Sequence, residues 1–532
     1  MNGPPRQLQP NISRLLRRAM SAHQQGELGK AERLFGAVLE HDPANFDALH
    51  CLGQINHRRG RLDAALALIQ AALHADIRRA DGFASLGLVF HALRQFERAL
   101  RSCDEGLRLA PDDVELLNRR GVALLELGRP AEALGSVDRA LASDPKHLDA
   151  LGNRGNALLK LNRVAEALAT YDRALQLAPG NVQLLTNRAV ALRRLDCPQE
   201  AAMSAGSALR IRPDFSPAQF VESVARLTLG DFTAGWRGYE SRWRVGALAA
   251  QRRGFTVPLW LGRQSLAGKT ILLHAEQGFG DTLQFARYVA AVLARGGKIV
   301  LEVQSKLVRL LSRMPEIEAV VAHGEPLPPF DFHCPLLSLP LACATELTTI
   351  PAEVPYIVPD AKEVAAWRGR QPPRRPLIGL AWSGEQSHDN DLNRSMSLAT
   401  LAPLLDLPDA TFVSLQHEVR EADLPTLQAS ANVHDAGTKF RDFADTAAVI
   451  ASLDAVISVD TAVAHLAGAM AKPLWLMLPF AADFRWLRER SDSPWYPTAR
   501  LYRQSAFGNW DNVVQEIRHD VAQLGTCAGR AA

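Results

Sequence analysis

Four stretches of the 532-residue sequence carry side chains that could do chemistry. In HAEQGFGDTLQFARYV (274–289) an apolar strand ending at His274 turns through glycines into a helix that opens near Thr282. Gly278 and Gly280 permit backbone angles that other residues avoid. Asp281 falls at or just before the first helical turn, with Gln284 and Arg287 on the next turns. Asp281 could equally be a helix N-cap, and the stretch lacks the full G-x-G-x-x-G of a dinucleotide site. In AVISVDTAVAHLAGAMAKPLWLML (455–478) a strand runs into Asp460 and Thr461, then into a short helix of small residues. The free N–H groups at that helix start suit an anion such as a diphosphate. Thr461 and His465 are four residues apart and face one side. Their alternative is a cap and a packed histidine. In GLAWSGEQSHDNDLNRSMSL (379–398) a buried strand empties into a polar loop with Ser383, Gly384, His388 and Arg394. Arg394 could hold a phosphate bidentately. His388, Asp389 and Asp391 have no second histidine nearby, so a solvated loop accounts for them better than a metal does. In DFRWLRERSDSPWYPTARLYRQ (483–504), Trp486, Trp495 and Tyr496 could stack on a base or sugar, or pack against a sheet.

Side chains so far apart need a frame. Apolar runs of five to seven residues alternate with helical stretches beyond Arg253: 270–274, 299–303, 330–333, 377–382, 411–415, 455–459 and 474–478. Several are rich in Val, Ile and Leu without alternation, as buried parallel strands are. The alternation predicts doubly wound α/β sheets. The Pro- and Arg-rich break 368–376 divides a first α/β lobe (263–367) from a second (377–525). Ligands bind outside the strand carboxyl ends of such sheets, so two lobes predict a cleft.

Ahead of them lies an internal repeat. Ala31, Ala65, Ala99, Ala133, Ala167 and Ala201 fall on one 34-residue lattice. Pro43, Pro111, Pro145, Pro179 and Pro213 fall on a second, with Ile77 in the missing slot. Gly53, Gly87, Gly121 and Gly155, continued by Ala189, form a third. Gly26, Gly60 and Gly128 mark an inter-helix turn where Arg94, Asn162 and Asp196 substitute. Small residues let two helices approach, and the proline ends each unit. One pair cannot bury its apolar face, so neighbours must stack. The array spans 12–243, six regular units and an irregular seventh, and 244–262 reads as a linker. Such an α solenoid offers a concave surface to a protein partner. Asn153 and Asn187 occupy equivalent first-helix positions, as peptide-backbone clamps or as solvated polar residues.

Composition sets limits. Apolar residues make up 47% and charged residues 22%, enough for sizeable cores. Sixty Lys and Arg against 57 Asp and Glu give a formal +3, too little to argue for a nucleic-acid partner. Six scattered cysteines without a C-x-x-C pair argue against a disulfide framework and for a reducing compartment. The N-terminal MNGPPRQLQPNISRLLRRAM lacks the apolar core of a signal peptide, and no run of 18 apolar residues is free of charge or proline. The expectation is a cytoplasmic protein without a membrane span.

The pieces HAEQGFGDTLQFARYV, FRDFADTAAVIASLDAVISVDTAVAHLAGAMAKPLW and DSPWYPTARLYRQ resemble bacterial proteins that fuse tetratricopeptide repeats to a glycosyltransferase domain. That domain is similar to the heptosyltransferases, which have the two-lobed GT-B fold. The resemblance implies a catalytic base at Asp281. It implies a D-[TS]-x-x-x-H donor element at Asp460, Thr461 and His465, with a diphosphate on its backbone N–H groups. It places Ser383 and Gly384 near the donor, Arg394 near a donor-phosphate lysine and Gln416 near a ribose-binding acid, with a changed side chain at each of the last two. Gly278, Gly280, Gln284 and Arg287 become acceptor-side or loop candidates. The implied reaction moves a sugar from a nucleotide-activated donor to an acceptor without a metal or other cofactor. A single base and direct displacement imply inversion. The first lobe is short for this fold, so the alternative is an interaction scaffold that keeps the fold without catalysis.

Overall fold

The computed structural model describes residues 8–373 and 376–528. Residues 1–7 of the N-terminal stretch, and Arg374 and Arg375 of the Pro/Arg-rich break, lie outside them. The chain divides into two compact units, Met1–Ala191 and Leu192–Ala532.

The 34-residue lattice becomes helix pairs. The first unit runs through α1 (Leu8–Gln24), α2 (Leu28–His41), α3 (Phe46–Arg58), α4 (Leu62–Ala75), α5 (Ala80–Ala92), α6 (Phe96–Leu109), α7 (Val114–Glu126), α8 (Pro130–Ser143), α9 (Leu148–Lys160), α10 (Val164–Leu177) and into α11 (Val182–Arg194). The turn lattice is a conformational requirement: Gly26, Gly60, Arg94, Gly128 and Asn162 all have φ between 58° and 76°. Glycine is indifferent to that region and Asn tolerates it, whereas Arg94 is strained there. The glycine lattice is a packing requirement. A Cβ on Gly121 would lie 2.6 Å from Val137 Cγ1, and one on Gly155 would overlap the Tyr171 ring. A further lattice emerges at the first-helix N-caps. Asn45, Asp113, His147 and Asn181 each accept a hydrogen bond from the backbone N–H three residues on.

In the second unit α12 (Pro198–Ile211), α13 (Ser216–Thr228) and α14 (Phe232–Tyr239) continue the pattern, with Asp196 at φ 55° and Gly230 at φ 81° in the turns. Phe232 and Trp236 of α14 are buried against Trp495, Phe285 and Phe484, so the last helix pair shares a core with the α/β region. The 244–262 segment packs rather than hangs free: Trp260 is fully buried and Leu259 bridges to His333.

The α/β region holds two parallel sheets. The first contains β1 (Thr270–His274), β2 (Lys298–Val303), β3 (Ile317–Ala322) and β4 (Phe332–Pro335) in the order β3-β2-β1-β4. The second contains β5 (Leu377–Ala381), β6 (Thr411–Ser414), β7 (Val433–Asp435), β8 (Ala455–Val459), β9 (Leu474–Leu478) and β10 (Ala499–Arg503) in the order β10-β9-β8-β5-β6-β7. Every pair within them is parallel. Strand order reverses between β1 and β4 and again between β5 and β8. Three strands escaped the apolar-run criterion. β3 is partly exposed, β7 is three residues long, and β10 alternates arginine with apolar residues. Arg309, on a helix of the first sheet's layer, donates to Asp442 at 2.7 Å and Asp445 at 2.8 Å on a helix of the second, tying the layers together. The Arg309 and Arg441 guanidiniums hold the Asp445 carboxyl well below the usual range, against the opposing pull of burial.

Candidate functional site

The two loops that leave β5 and β8 flank the point where the strand order of the second sheet reverses, which is where open α/β sheets bind ligands. Thr461 caps the helix Ala462–Ala469 in extended conformation, φ −142° and ψ 174°. Its hydroxyl lies 3.1 Å from the Ser458 hydroxyl and makes no cap hydrogen bond. Among the described residues no side chain therefore caps that first turn, and Thr461, Ala462 and Val463 are partly exposed. Arg394 reaches over from the β5 loop and donates to the Asp460 carbonyl at 3.1 Å. Gly384 makes room for it: a Cβ there would stand 2.5 Å from Arg394 Nη2.

Asp281 comes from the other sheet. It is the third residue of the helix Phe279–Phe285, and its Oδ2 accepts from the Gly278 N–H at 2.9 Å. Its other oxygen accepts from Arg485, which lies beyond β9 of the second sheet. Arg485 also donates to Gln284 Oε1 at 2.6 Å and to Asp483 at 2.7 Å. The helix bearing Asp281 packs closely on the one bearing His465, since a Cβ on Gly280 would lie 2.8 Å from His465 Cδ2. Asp281, Gln284, Asp460, His465 and Arg394 are thus gathered around Arg485.

The electrostatics derive from burial. His465 stacks on Trp486 at 5.4 Å, and its Nδ1 lies 3.0 Å from the Tyr496 hydroxyl. Burial first, then Arg485, Arg287 and Arg394, push its pKa well down, so the ring is neutral near pH 7. Its Nε2, 3.7 Å from Asp460 Oδ1, makes no ion pair there. Burial, then the Asp483 charge, pushes the Asp460 carboxyl up to about 6. Burial also lowers the His388 pKa, with Arg394 the next cause.

Several polar atoms here are buried without a partner among the described residues: Gln284 Nε2, Ser383 Oγ and Arg394 Nε. Native interiors rarely leave such atoms unpaired. The other expected residues are engaged elsewhere. Gln416 is committed to backbone, accepting from the Ser383 N–H at 3.3 Å and donating to its carbonyl at 3.0 Å. Arg287 turns into the core, where it donates to the Trp495 carbonyl at 2.6 Å and the Pro351 carbonyl at 3.0 Å. Trp486, Trp495 and Tyr496 are fully buried, so they pack rather than offer a stacking face. Asn153 donates to Asn118 at 2.8 Å and Asn187 to Asn156 at 3.0 Å, a ladder between successive first helices. Arg485 and Asp483 were not singled out from the sequence. Their only signal was a charged pair inside a stretch noted for its aromatics.

Among the described residues no group of three or more His, Cys, Asp and Glu side chains could hold a metal ion, and no helix is long and apolar enough to cross a membrane. Five described cysteines are free thiols, and the side chain of Cys527 lies outside the described residues.

The tetratricopeptide repeat model matches residues 16–81, 85–147, 118–182 and 153–217, so the N-terminal array is built of these protein-interaction repeats. Protein FlbA of Caulobacter vibrioides (strain ATCC 19089 / CIP 103742 / CB 15) is 28% identical over 332 residues, covering 57% of this chain and 54% of its own. The chain thus spans about half the length of that curated relative. Among solved structures, YrrB, a TPR protein with an unusual peptide-binding site, aligns at 22% identity and TM-score 0.29 over 35% of this chain and 95% of its own. A thermophilic TPR protein of Thermus thermophilus, TTC0263, aligns at 26% identity and TM-score 0.31 over 34% and 98%.

Proposed function

We propose that the chain is a glycosyltransferase of the two-lobed GT-B, heptosyltransferase-like kind, working in the reducing cytoplasm. It takes a sugar from a nucleotide-activated donor and passes it, with inversion and without a metal, to a protein presented by the repeats. The observation that carries this reading is the set of buried, unpartnered polar atoms — Gln284 Nε2, Ser383 Oγ and Arg394 Nε — around an uncapped helix start and a carboxylate from the facing sheet.

In the proposed reaction the donor diphosphate lies on the first-turn N–H groups of Ala462–Ala469, beside Arg394. The bond from the anomeric carbon to the diphosphate oxygen breaks as the acceptor oxygen attacks from the opposite face. Asp281 takes the acceptor proton, and the nucleoside diphosphate leaves with the bonding electrons. Helix N–H groups and Arg394 stabilise the charge that grows on the leaving group. His465, held neutral, offers hydrogen bonding rather than charge. Arg485 is ion-paired with Asp281 in the structure. In the proposed reaction Arg485 turns from Asp281 toward the diphosphate, which leaves the carboxylate free to meet the acceptor hydroxyl.

That same ion pair favours a second reading, an interaction scaffold whose site is closed by its own arginine. The test is a panel of nucleotide-sugars offered to the purified chain, with titration calorimetry for binding and intact-mass analysis of co-expressed partner proteins for transfer. The transferase reading expects one donor to bind. It expects Asp281→Asn to keep that binding while losing about a hundredfold or more in transfer. Wild-type function from both Asp281→Asn and His465→Ala, with loss on disrupting the repeats, establishes the scaffold instead.

A further inference from the structure

A cleft of about 1140 Å3 opens beside the carboxyl ends of β1 and β4, where the strand order of the first sheet reverses. Neither Asp281 nor Asp460 lines it. One wall is α13, α14 and the turn after them, and the other is the segment 252–261. Its volume exceeds the roughly 300–1,000 Å3 of small-molecule sites, which points to a larger occupant.

Its charges are unequally spoken for. The lining carboxylates are already paired, Glu222 with Arg226 at 2.8 Å and Glu240 with Arg242 at 2.6 Å. Two lining guanidiniums, Arg237 and Arg252, are exposed and have no side-chain partner among the described residues. The cleft therefore presents uncompensated positive charge.

Its second wall carries a one-residue bridge to β4. Leu259 bridges to His333 in parallel: the Trp260 N–H donates to the His333 carbonyl at 2.8 Å, and the His333 N–H to the Pro258 carbonyl at 3.2 Å. In a parallel bridge the central residue's own N–H and C=O point away from the partner strand. Those of Leu259 have no backbone partner among the described residues, and the residue, 36% exposed, lines the cleft. A donor and acceptor on one edge match another backbone, not a phosphate chain.

We propose that this cleft binds an extended acidic segment of a partner protein, added as a strand along the Leu259 edge with its carboxylates on Arg237 and Arg252. None of the ladder asparagines lines it, and the proposal does not depend on whether the chain transfers a sugar.

The test is fluorescence anisotropy of the full chain with a labelled peptide of about ten residues alternating Glu and Val, against its Lys–Val counterpart. The acidic peptide is expected to bind about tenfold tighter or more, and R237E/R252E to weaken it about tenfold. Leu259→Pro removes the free N–H together with the leucine side chain, while Trp260 and Pro258 carry the pairing to β4; it is expected to weaken binding several-fold, and Leu259→Ala, which removes the side chain alone, to weaken it less. Should the proline variant melt early, the acidic peptide with alternate backbone nitrogens methylated asks the same question of the unaltered chain, with loss of binding expected. Equal binding of the two peptides, no effect of R237E/R252E, or full binding by the methylated peptide overturns the proposal. So does an oligouridylate that binds as tightly and competes, because the cleft is then a general polyanion site.

Discussion

Arg485 bonds to Asp281, Gln284 and Asp483 at once, joining the helix of the first sheet's layer to the loop beyond β9. It stands 204 positions from Asp281 in the chain, so no local pattern could pair them. Asp460, Thr461 and His465 were readable because a strand, a cap and one helical turn fix their relation within six residues. Asp460 also gives a pH test. Its carboxyl titrates near 6 in the folded protein against an ordinary 3.8, so folding favours the protonated form. That contribution is full below the ordinary value and is lost as pH rises through 6; above it, a buried charge opposes folding. Asp460→Asn is therefore expected to raise unfolding stability at pH 8, a gain that shrinks toward pH 5. Urea unfolding of both proteins at the two pH values measures it, and a gain independent of pH contradicts the assignment.

Helices and strands differed in how much of them the sequence disclosed. The helix pairs were legible because each demand recurs every 34 residues: a left-handed turn, a Cβ-free contact and an end. The contact lattice is steric, so Gly155→Ala is expected to destabilise the repeat section by about 1–3 kcal/mol, through overlap with the Tyr171 ring. Denaturant titration reads this, and no loss would mean that the ring swings aside freely. Buried strands such as β1, β8 and β9 were legible as unbroken apolar runs. β3 was hidden because it is partly exposed, and β10 because its arginines interrupt the run. The aromatic stretch after β9 was ambiguous for a physical reason: tryptophan serves a core or a ligand face equally well, and only burial separates them.

At the scale of the whole molecule, a quasi-one-dimensional stack and a sheet-based core should not melt as one. Calorimetry is expected to resolve at least two transitions, with Gly155→Ala lowering only the one that belongs to Met1–Ala191. A single transition displaced by that substitution would show that both units unfold together.

The seating of Phe232 and Trp236 among Trp495, Phe285 and Phe484 sets where this architecture can grow. Modules of 34 residues pack on their neighbours in the run, and the last regular one also pairs its turn residue Asp196 with Arg488 at 3.0 Å, so gene duplication or loss is expected to act on the earlier modules. The terminal pair has no such licence. Across descendants of this gene, module number should drift, while the two aromatics that weld the last pair in place should stay.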